Sequence, residues 1–365
     1  MRHRGGARPL LVGLAIALGS IVGVWWWIGS PLRSDERVVL FPSAAHLDRG
    51  GQHWIVPVHG WVFEDEDDST KRALLIKWIG KAVDVGNDSR ARAILRERLL
   101  PFLADNQRNK RLTVRIGDIT AELEPSDSGG HFHGTIAVPV DVAEKLADQG
   151  RLTIEVLGTT RTTASARLIG SRGVSVISDI DDTIKITEVT DQHALVRNTF
   201  MKPFAPAPGM AALYQRWARS GAEFHYVSSS PWQLYEPLRH FMSGSRFPLA
   251  AVSLKRFRLK DSSVFDLLAD PLQTKPAAIE PILQRYPEHE FRLVGDSGER
   301  DPEVYGVIAR AHPAQITGIY IRNVTGEDPD SQRFRSAFAD LPEDHWHVFT
   351  HPAEITANMP AAASP

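Results

Sequence analysis

The sequence predicts an α/β protein in which a doubly wound parallel sheet is preceded by a β-rich domain and an N-terminal transmembrane helix. Three observations predict it. Residues 9–29 form an uncharged apolar run, short strand-like runs fill residues 32–170, and strand-like and helical runs alternate from residue 171 onward. Strands alternating with helices are typical of a parallel sheet covered on both faces. We therefore expect an anchor at 1–31, a β-rich domain at 32–170, an α/β domain at 171–356 and a disordered tail at 357–365.

Composition and charge exclude several classes of function. The chain has 365 residues, a formal net charge of −2 and no cysteine. A nearly neutral chain gives no sign of nucleic-acid binding, and we expect no nucleic-acid partner. The lack of cysteine excludes disulfide bonds, thiolate metal sites and a cysteine nucleophile, but it does not fix the compartment.

The apolar run at residues 9–29 has the features of a membrane anchor. As a helix rising about 1.5 Å per residue it spans about 30 Å, which matches the hydrocarbon core of a bilayer. Arginines 2, 4 and 8 precede it, and three tryptophans end it at 25–27. The positive charge predicts a cytoplasmic N-terminus, and hence a single-pass protein of a bacterial-type inner (plasma) membrane with its globular part periplasmic or extracytoplasmic. A cleaved signal peptide is the alternative, although no clear A-x-A site follows.

The region 32–170 is predicted to be a sandwich or barrel of short strands with one helical insert. Apolar and polar residues alternate at 113–116 and 152–156, whereas apolar residues at 71–104 follow helical spacing. The acidic run at 64–68 lacks the spaced ligands of a calcium loop and favours a solvated loop. His131 and His133 lie on one face of a strand-like run, either as a metal pair or as partly exposed sheet histidines.

The region from 171 onward alternates strand-like and helical runs. The strand-like runs lie at 173–178, 223–228, 248–254, 291–295 and 316–321. Between them, helical spacing is clear in Ile279, Ile282, Leu283 and Tyr286, which follow i, i+3, i+4 and i+7. This order predicts a parallel sheet with helices on both faces.

Three carboxylates follow the first of these strands within four residues, as Asp179, Asp181 and Asp182. Two unit charges about 4 Å apart repel by roughly 4 kcal/mol at an effective dielectric near 20. A hard cation with oxygen ligands would offset that repulsion. The alternative is an exposed acidic turn that caps the next helix.

Other polar residues follow neighbouring strands at the same predicted edge. Ser228 ends the second strand, Asp296 ends the fourth, and Asp301 lies five residues further on. Lys275 lies at the start of the helix before the fourth strand. Because ligands bind beyond the carboxyl ends of strands in open parallel sheets, we expect these side chains to share one site.

The motifs at this edge, in this order, resemble those of the haloacid dehalogenase (HAD) superfamily. DIDDT resembles its first motif, Ser228 the second, Lys275 the third, and GDSGERD the fourth. The chain is more similar still to the catalytic domain of the actin-patch-protein type of phosphatidate phosphatase. That resemblance covers residues 171–324 and is carried by SDIDDTIK at 178–185, PGM at 208–210, YVSSSPWQL at 226–234, GDSGERDPEVY at 295–305 and IYIR at 319–322.

The resemblance implies an HAD-like Rossmannoid fold and a role for each site residue. Asp179 would be the nucleophile that becomes an aspartyl phosphate. Asp181 would protonate the leaving oxygen and then deprotonate the attacking water. Ser228 would donate a hydrogen bond to the phosphoryl group, and Lys275 would steady the concentrated negative charge.

The resemblance also implies Mg²⁺ as the cofactor. Asp179, Asp296 and the backbone carbonyl of Asp181 would bind it, with Asp301 as a direct or water-mediated ligand.

The expected activity is therefore that of a magnesium-dependent phosphomonoesterase, with phosphatidate converted to diacylglycerol and phosphate. A phospholipid in the membrane would be its substrate. The anchor is consistent with such a substrate, as are the apolar residues Phe200, Met201 and Phe204 and the basic run at 255–260. The alternative for the three apolar residues is burial in the core, and the alternative for the basic run is a solvated edge after a strand.

Two other functions stay open. One is a phosphatase for a different envelope lipid phosphate or for a phosphoprotein. The other is a membrane-tethered, non-catalytic binding module with a vestigial site, although every motif acid is present.

Overall fold

The computed structural model of the chain describes residues 29–65, 88–159, 162–257 and 271–355. No helix in these ranges has both the length and the apolar character needed to cross a bilayer. The predicted anchor lies outside them, apart from residues 29–31, and therefore stays a prediction. The described ranges also leave out residues 71–87 of the predicted helical insert, residues 258–260 of the basic run and the tail at 357–365.

The first sheet has nine strands within the described residues. Their order along the main path is β1-β3-β2-β9-β8-β5-β6, and β4 and β7 pair with β3 as well. All pairs are antiparallel except β2 with β9. The strands are β1 (Arg37–Leu40), β2 (Ser43–Leu47), β3 (His53–Glu64), β4 (Asp105–Asn106), β5 (Thr113–Ile116), β6 (Ile119–Glu122), β7 (His131–Pro139), β8 (Arg151–Val156) and β9 (Thr163–Leu168).

Alternation in the sequence decides which face of this sheet is buried. Val114 and Ile116 of β5 point into the core, as do Leu152 and Ile154 of β8, and all four are almost fully buried. Since successive side chains of a strand point to opposite faces, the polar residues between them face away from that core.

The second sheet has six strands in the order β12-β11-β10-β13-β14-β15, and every neighbouring pair is parallel. The parallel α/β sheet expected for the second half of the chain is thus confirmed. The order reverses at β10, which lies between β11 and β13, and ligands bind at such switch points. The strands are β10 (Arg172–Ser178), β11 (Glu223–Pro231), β12 (Ala251–Lys255), β13 (Glu288–Asp296), β14 (Ile316–Arg322) and β15 (Trp346–Phe349).

Helices cover both faces of this second sheet. Apolar side chains of α4, among them Leu213 and Trp217, share one core with Val176 of β10. Ile279 of α6 shares a second core with Ile177, the next residue of the same strand. The helices of the described chain are α1 (Ser89–Leu103), α2 (Val140–Leu146), α3 (Gln192–Phe200), α4 (Met210–Arg219), α5 (Tyr235–Gly244), α6 (Pro271–Arg285), α7 (Asp301–Ala311) and α8 (Gln332–Ala337).

Helix α1 belongs to the predicted insert of the predicted β-rich domain (residues 32–170, the first domain), but it packs against helices of the predicted α/β domain (residues 171–356, the second domain). Its N-terminus is capped by Asp88, whose side chain accepts hydrogen bonds from two backbone amides of the first turn. Leu95 and Leu99 of its buried face share a core with Phe200 of α3. Helix α1 is therefore buried against the helices of the second sheet.

Two of the three apolar residues considered for lipid contact lie in the core, and the third, Phe204, is partly buried against it. Phe200 is fully buried and Met201 is 6% exposed, so lipid contact is wrong for these two residues and the core alternative is confirmed. In the basic run, Arg256 forms an ion pair with Asp127 at 2.6 Å, and Phe257 is buried.

The two histidines singled out on β7 differ in burial. His131 is buried, and its Nδ1 lies 3.0 Å from Nε2 of His59. His133 is exposed, and its ring stacks on that of His59 with the centroids 4.1 Å apart.

Candidate active site

The site lies where β10, β11 and β13 end. The apolar residues of β10 bury the strand up to Ser178, and Asp179 follows at the edge of the sheet. The amide of Asp179 donates to the carbonyl of Val294 at 2.9 Å, and its carbonyl accepts from the Ser178 hydroxyl at 2.6 Å. The backbone of Asp179 is therefore held on both sides.

Three carboxylates meet at this edge. Asp179, Asp296 and Glu299 each offer one oxygen, and these oxygens all lie within 4.8 Å of one another. Asp179 and Asp296 are fully buried. Burial raises the pKa of both well above its ordinary value, and it also raises the pKa of Glu299. Negative charge here is unfavourable unless a cation accompanies it.

The donor set fits a hard divalent cation. Oδ2 of Asp179 and Oδ2 of Asp296 accept no hydrogen bond from any described residue, although both atoms are buried. The other oxygen of Asp296 accepts from the amides of Gly298 at 2.7 Å and Glu299 at 3.1 Å, which fixes its direction. Buried carboxylate oxygens without hydrogen-bond donors are the ligands that Mg²⁺ or Ca²⁺ takes.

Lys275 is the ammonium of this cluster, and the first turns of α6 bring it there. Its Nζ lies 3.1 Å from Oδ1 of Asp179 and 2.9 Å from Oε2 of Glu299, and it contacts Oδ1 of Asp301. Burial by itself would lower the pKa of Lys275, but these carboxylates outweigh burial and raise the pKa. The lysine is therefore charged, and it offsets part of the repulsion between the acids.

Asp301 does not contribute an oxygen to the three-carboxylate cluster. Its Oδ1 contacts Lys275, and its Oδ2 accepts from the amide of Asp296 at 3.1 Å. The arrangement favours Glu299 over Asp301 as the third oxygen ligand. The motif pattern of the sequence does not single out Glu299, although a tight turn can bring a residue three positions after Asp296 back to the same point.

Asp181 is surrounded by donors of its own. Its Oδ1 lies 2.6 Å from Nζ of Lys185 and accepts from the Thr187 hydroxyl at 2.9 Å. Its Oδ2 accepts from the hydroxyls of Ser230 at 2.7 Å and Ser228 at 3.1 Å. Burial would raise the pKa of Asp181, but Lys185 and the hydroxyls outweigh burial and lower it to about 2. In this arrangement Asp181 is a carboxylate.

Asp182 has a structural role in the loop that follows. Its backbone takes a left-handed conformation with φ of 51°. Its side chain accepts hydrogen bonds from the amides of Thr187, Glu188 and Val189 at 2.6–2.9 Å. Backbone amides, rather than a metal ion, meet the charge of this third acid, and the loop is thereby fixed beside the site.

A cavity of about 220 Å³ opens onto this edge. Ser229 and Ser230 line it, and the buried hydroxyl of Ser229 has no hydrogen-bond partner among the described residues. Ser228, the serine selected from the sequence, instead donates to Asp181 and is not part of the wall. The lining residues are Asp181, Val189, Leu195, Ser229, Ser230, Gly298, Glu299 and Arg300.

The structure thus brings together most of the residues selected from the sequence. Asp179, Asp296 and Lys275 form one cluster, while Ser228 and Lys185 contact the two oxygens of Asp181 in a second group. Chemically, the site offers buried carboxylate oxygens without hydrogen-bond donors, a fixed ammonium and a separate carboxylate held by hydroxyl donors.

Comparison with known proteins places the matching region on this sheet. Residues 174–323 match the family described as "Phosphatidate phosphatase APP1, catalytic domain". Phosphatidate phosphatase APP1 of Saccharomyces cerevisiae is 35% identical over 164 residues, and an uncharacterized protein of Schizosaccharomyces pombe is 29% identical over 165 residues. Each match covers 44% of this chain and 27% of the relative. The chain therefore matches about a quarter of the length of these relatives. Both are fungal, and they lend no support to a bacterial location.

Among solved structures, a chain of the Pnkp1/Rnl/Hen1 complex aligns with 39% of this chain and 43% of its own length. The identity is 17% and the TM-score 0.29. A likeness of this size carries no argument about function.

Proposed function

We propose that this chain is a phosphomonoesterase that hydrolyses phosphatidate to diacylglycerol and phosphate, because residues 174–323 match the phosphatidate phosphatase APP1 catalytic-domain family. The substrate is taken from the name of the yeast relative. The observation that carries the proposal is the buried cluster of Asp179, Asp296, Glu299 and Lys275 at the carboxyl edge of a parallel sheet. A carboxylate held beside an ammonium and free of hydrogen-bond donors on one oxygen is suited to attack phosphorus.

The first step transfers the phosphoryl group to the enzyme. An oxygen of Asp179 forms a bond to phosphorus while the bond from phosphorus to the lipid alcohol oxygen breaks. Asp181 gives that oxygen its proton, so the alcohol leaves neutral. Asp181 must first take up a proton from solvent, because it is a carboxylate while Lys185 lies 2.6 Å away.

The second step releases phosphate. Water attacks phosphorus, the bond between phosphorus and the Asp179 oxygen breaks, and the ionised Asp181 accepts a proton from the water. Asp179 is regenerated as a carboxylate, and phosphate leaves. Over both steps one water is consumed and Asp181 regains the proton that it gave.

We propose Mg²⁺ as the cofactor, held by Asp179, Asp296 and Glu299. When bound, it would neutralise charge between the nucleophile and the phosphoryl oxygens. The predicted ligands Asp301 and the Asp181 carbonyl stay predictions.

The remaining residues of the site bind and orient the substrate. Ser229 lines the cavity and its buried hydroxyl has no partner among the described residues, so we propose that it donates to a phosphoryl oxygen, the role expected of Ser228 from the sequence. Lys275 opposes the rise in the pKa of Asp179 that burial causes, and it holds that carboxyl group in place. Arg300, on the cavity wall with about half of its side chain exposed, would attract the anionic head of the substrate. If residues 9–29 form the predicted anchor, they would hold the domain at the bilayer that contains the lipid.

Phosphate release from a panel of esters tests the proposal. The full chain in detergent micelles is assayed on phosphatidate, other phospholipid monoesters, soluble phosphate esters and a phosphoprotein. We expect phosphatidate to be preferred, EDTA to abolish release and added magnesium to restore it. Preference for another lipid phosphate or for the phosphoprotein would show that this ester, and not phosphatidate, is the substrate.

Asp179→Asn is the matched control, because it keeps the size and shape of the nucleophile. We expect it to lose turnover by at least about a thousandfold while the chain stays folded. If the unmutated chain releases no phosphate from any ester, the proposed phosphatase activity is refuted, and the alternative of a non-catalytic binding module is favoured.

A further inference from the structure

Helix α1 reaches the active-site domain from the first domain. Its residues Leu95, Leu99 and Phe102 are buried against the second domain, and Phe102 packs edge to face on Phe200 with ring centroids 5.9 Å apart. Helix α3, which contains Phe200, also supplies Leu195 to the wall of the active-site cavity. Helix α1 of the first domain thus packs against α3, the helix that forms one side of the active-site cavity.

Arg98 is the polar residue on this buried face of α1. Its guanidinium carbon lies 3.7 Å from the centroid of the Phe204 ring, and its Nη1 donates to the carbonyl of Thr199. Burial lowers the pKa of Arg98 to about 10, so the side chain stays a cation at neutral pH. The planar guanidinium fixes the position of the ring against which it lies.

Lys185 contacts the same ring. Its Nζ lies 4.7 Å from the centroid of Phe204, 2.6 Å from Oδ1 of Asp181 and 2.6 Å from Oγ1 of Thr187. The ammonium is almost fully buried. A flexible lysine keeps one position only if its surroundings fix it, and here the ring of Phe204 is one of the three contacts that do so.

We infer that Arg98 and Phe204 are positioning residues, which act through Lys185 to fix the orientation of the Asp181 carboxyl group. Helix α1 of the first domain would then complete the active site of the second. The inference rests on the proposed function, in which Asp181 transfers the proton. It also gives the first domain a role in catalysis that packing alone would not require.

Kinetics on two leaving groups test the inference in the full chain. In Phe204→Leu, we expect kcat/KM for an alkyl phosphate, whose leaving group needs a proton, to fall on the order of tenfold, a fraction of what a general acid contributes. For p-nitrophenyl phosphate, which leaves readily without a proton, the loss should stay below about twofold. Arg98→Met should show the same pattern more weakly.

Two controls separate positioning from a general loss of structure. Phe204→Tyr keeps the aromatic face and should behave like the unmutated chain. Arg96→Met removes an exposed arginine from the same helix and should change neither substrate. Equal losses on both esters, or equal behaviour of the Leu and Tyr variants, would overturn the inference.

A spectroscopic readout keeps the test independent of activity. The ring of Phe204 should shift the ε-methylene protons of Lys185 upfield in NMR spectra of lysine-labelled protein, with Lys185→Met used for assignment. We expect the shift to vanish in Phe204→Leu and to persist in Phe204→Tyr, and an unchanged resonance in Phe204→Leu would refute the contact. If the unmutated chain hydrolyses neither ester, the proposed function fails, while this measurement still decides whether Phe204 holds Lys185.

Discussion

Replacing Lys275 with methionine tests the electrostatic account of the site most directly. The substitution keeps the approximate length of the side chain but removes the ammonium that lies 3.1 Å from Asp179 and 2.9 Å from Glu299. At about 3 Å and an effective dielectric near 20, each such pair attracts by roughly 5 kcal/mol before desolvation is subtracted. Removing one partner of a buried ion pair typically costs about 3–5 kcal/mol net. We expect a loss of stability in that range.

The pH dependence of this loss has a definite sign. Without Lys275, the buried acids Asp179, Asp296 and Glu299 keep pKa values above those of the unfolded chain, because burial already raises all three. Groups with a raised folded pKa bind protons more readily when folded, so they destabilise the fold more as pH rises above the unfolded pKa near 4. The Lys275→Met chain should therefore be less destabilised at pH 5 than at pH 8.

Thermal unfolding with EDTA and with added magnesium measures these effects. A loss of about 3–5 kcal/mol corresponds to a fall in melting temperature on the order of 10 °C for a domain of this size. Magnesium should restore more stability to Lys275→Met than to the unmutated chain, because a cation would then be the main charge opposing the acids. Lys145→Met, which removes an exposed lysine, is the matched control and should change little. A Lys275→Met chain within about 1 kcal/mol of the unmutated chain at pH 8 would refute the reasoning.

Three further predictions follow from the described geometry. Glu299→Gln should raise the magnesium concentration for half-maximal activity at least about tenfold, whereas Asp301→Asn should raise that concentration less. A magnesium titration that reverses this order would favour Asp301 as the ligand. Gly295→Ala should destabilise the chain by about 1–3 kcal/mol in thermal unfolding, because its Cβ would lie 2.2 Å from Oδ2 of Asp301, and an unchanged melting temperature would show that Asp301 moves aside freely. Burial lowers the pKa of His225 to about 3, below the unfolded value near 6.5. The stabilising contribution of His225 is therefore complete above pH 6.5, and it is lost at about 1.4 kcal/mol per pH unit as pH falls toward 3. His225→Phe should flatten that part of a pH–stability curve, and an unchanged slope would mean that His225 is not buried in its neutral form.

Much of the second domain follows from local patterns in the sequence. The apolar run before Ser178 predicts a buried strand, and the alternation of strands and helices predicts a parallel sheet. Given that sheet, the residues after β10, β11 and β13 must share one edge, so Asp179 and Asp296 could be paired before any coordinates were known.

The partner of each acid could not be predicted in this way. Asp179 faces Lys275, Asp181 faces Lys185, and Asp182 faces backbone amides, although all three acids lie within four residues. Nothing in the spacing of the residues favours Ser229 over Ser228 for the cavity wall either. These differences depend on side-chain direction and on donors brought by other elements, which spacing does not record.

The position of helix α1 is a second example. Helical spacing indicated a helix in this part of the chain, and its place between β-strands suggested an insert of the first domain. Its apolar face, however, is buried with Phe200 of the second domain. An amphipathic face predicts burial but does not name the surface that buries it.

The sequence by itself therefore determined that strands and helices alternate in the second domain and that the acids gather at one edge of its sheet. Only the tertiary structure decided that Glu299 joins Asp179 and Asp296, that Lys185 holds Asp181, and that α1 packs behind the site. The physical reason is the separation along the chain of the residues that set each feature. Periodicity and strand ends are set by neighbours along the chain, whereas the charge of a buried acid is balanced by whichever donors the packing of distant segments brings within about 3 Å.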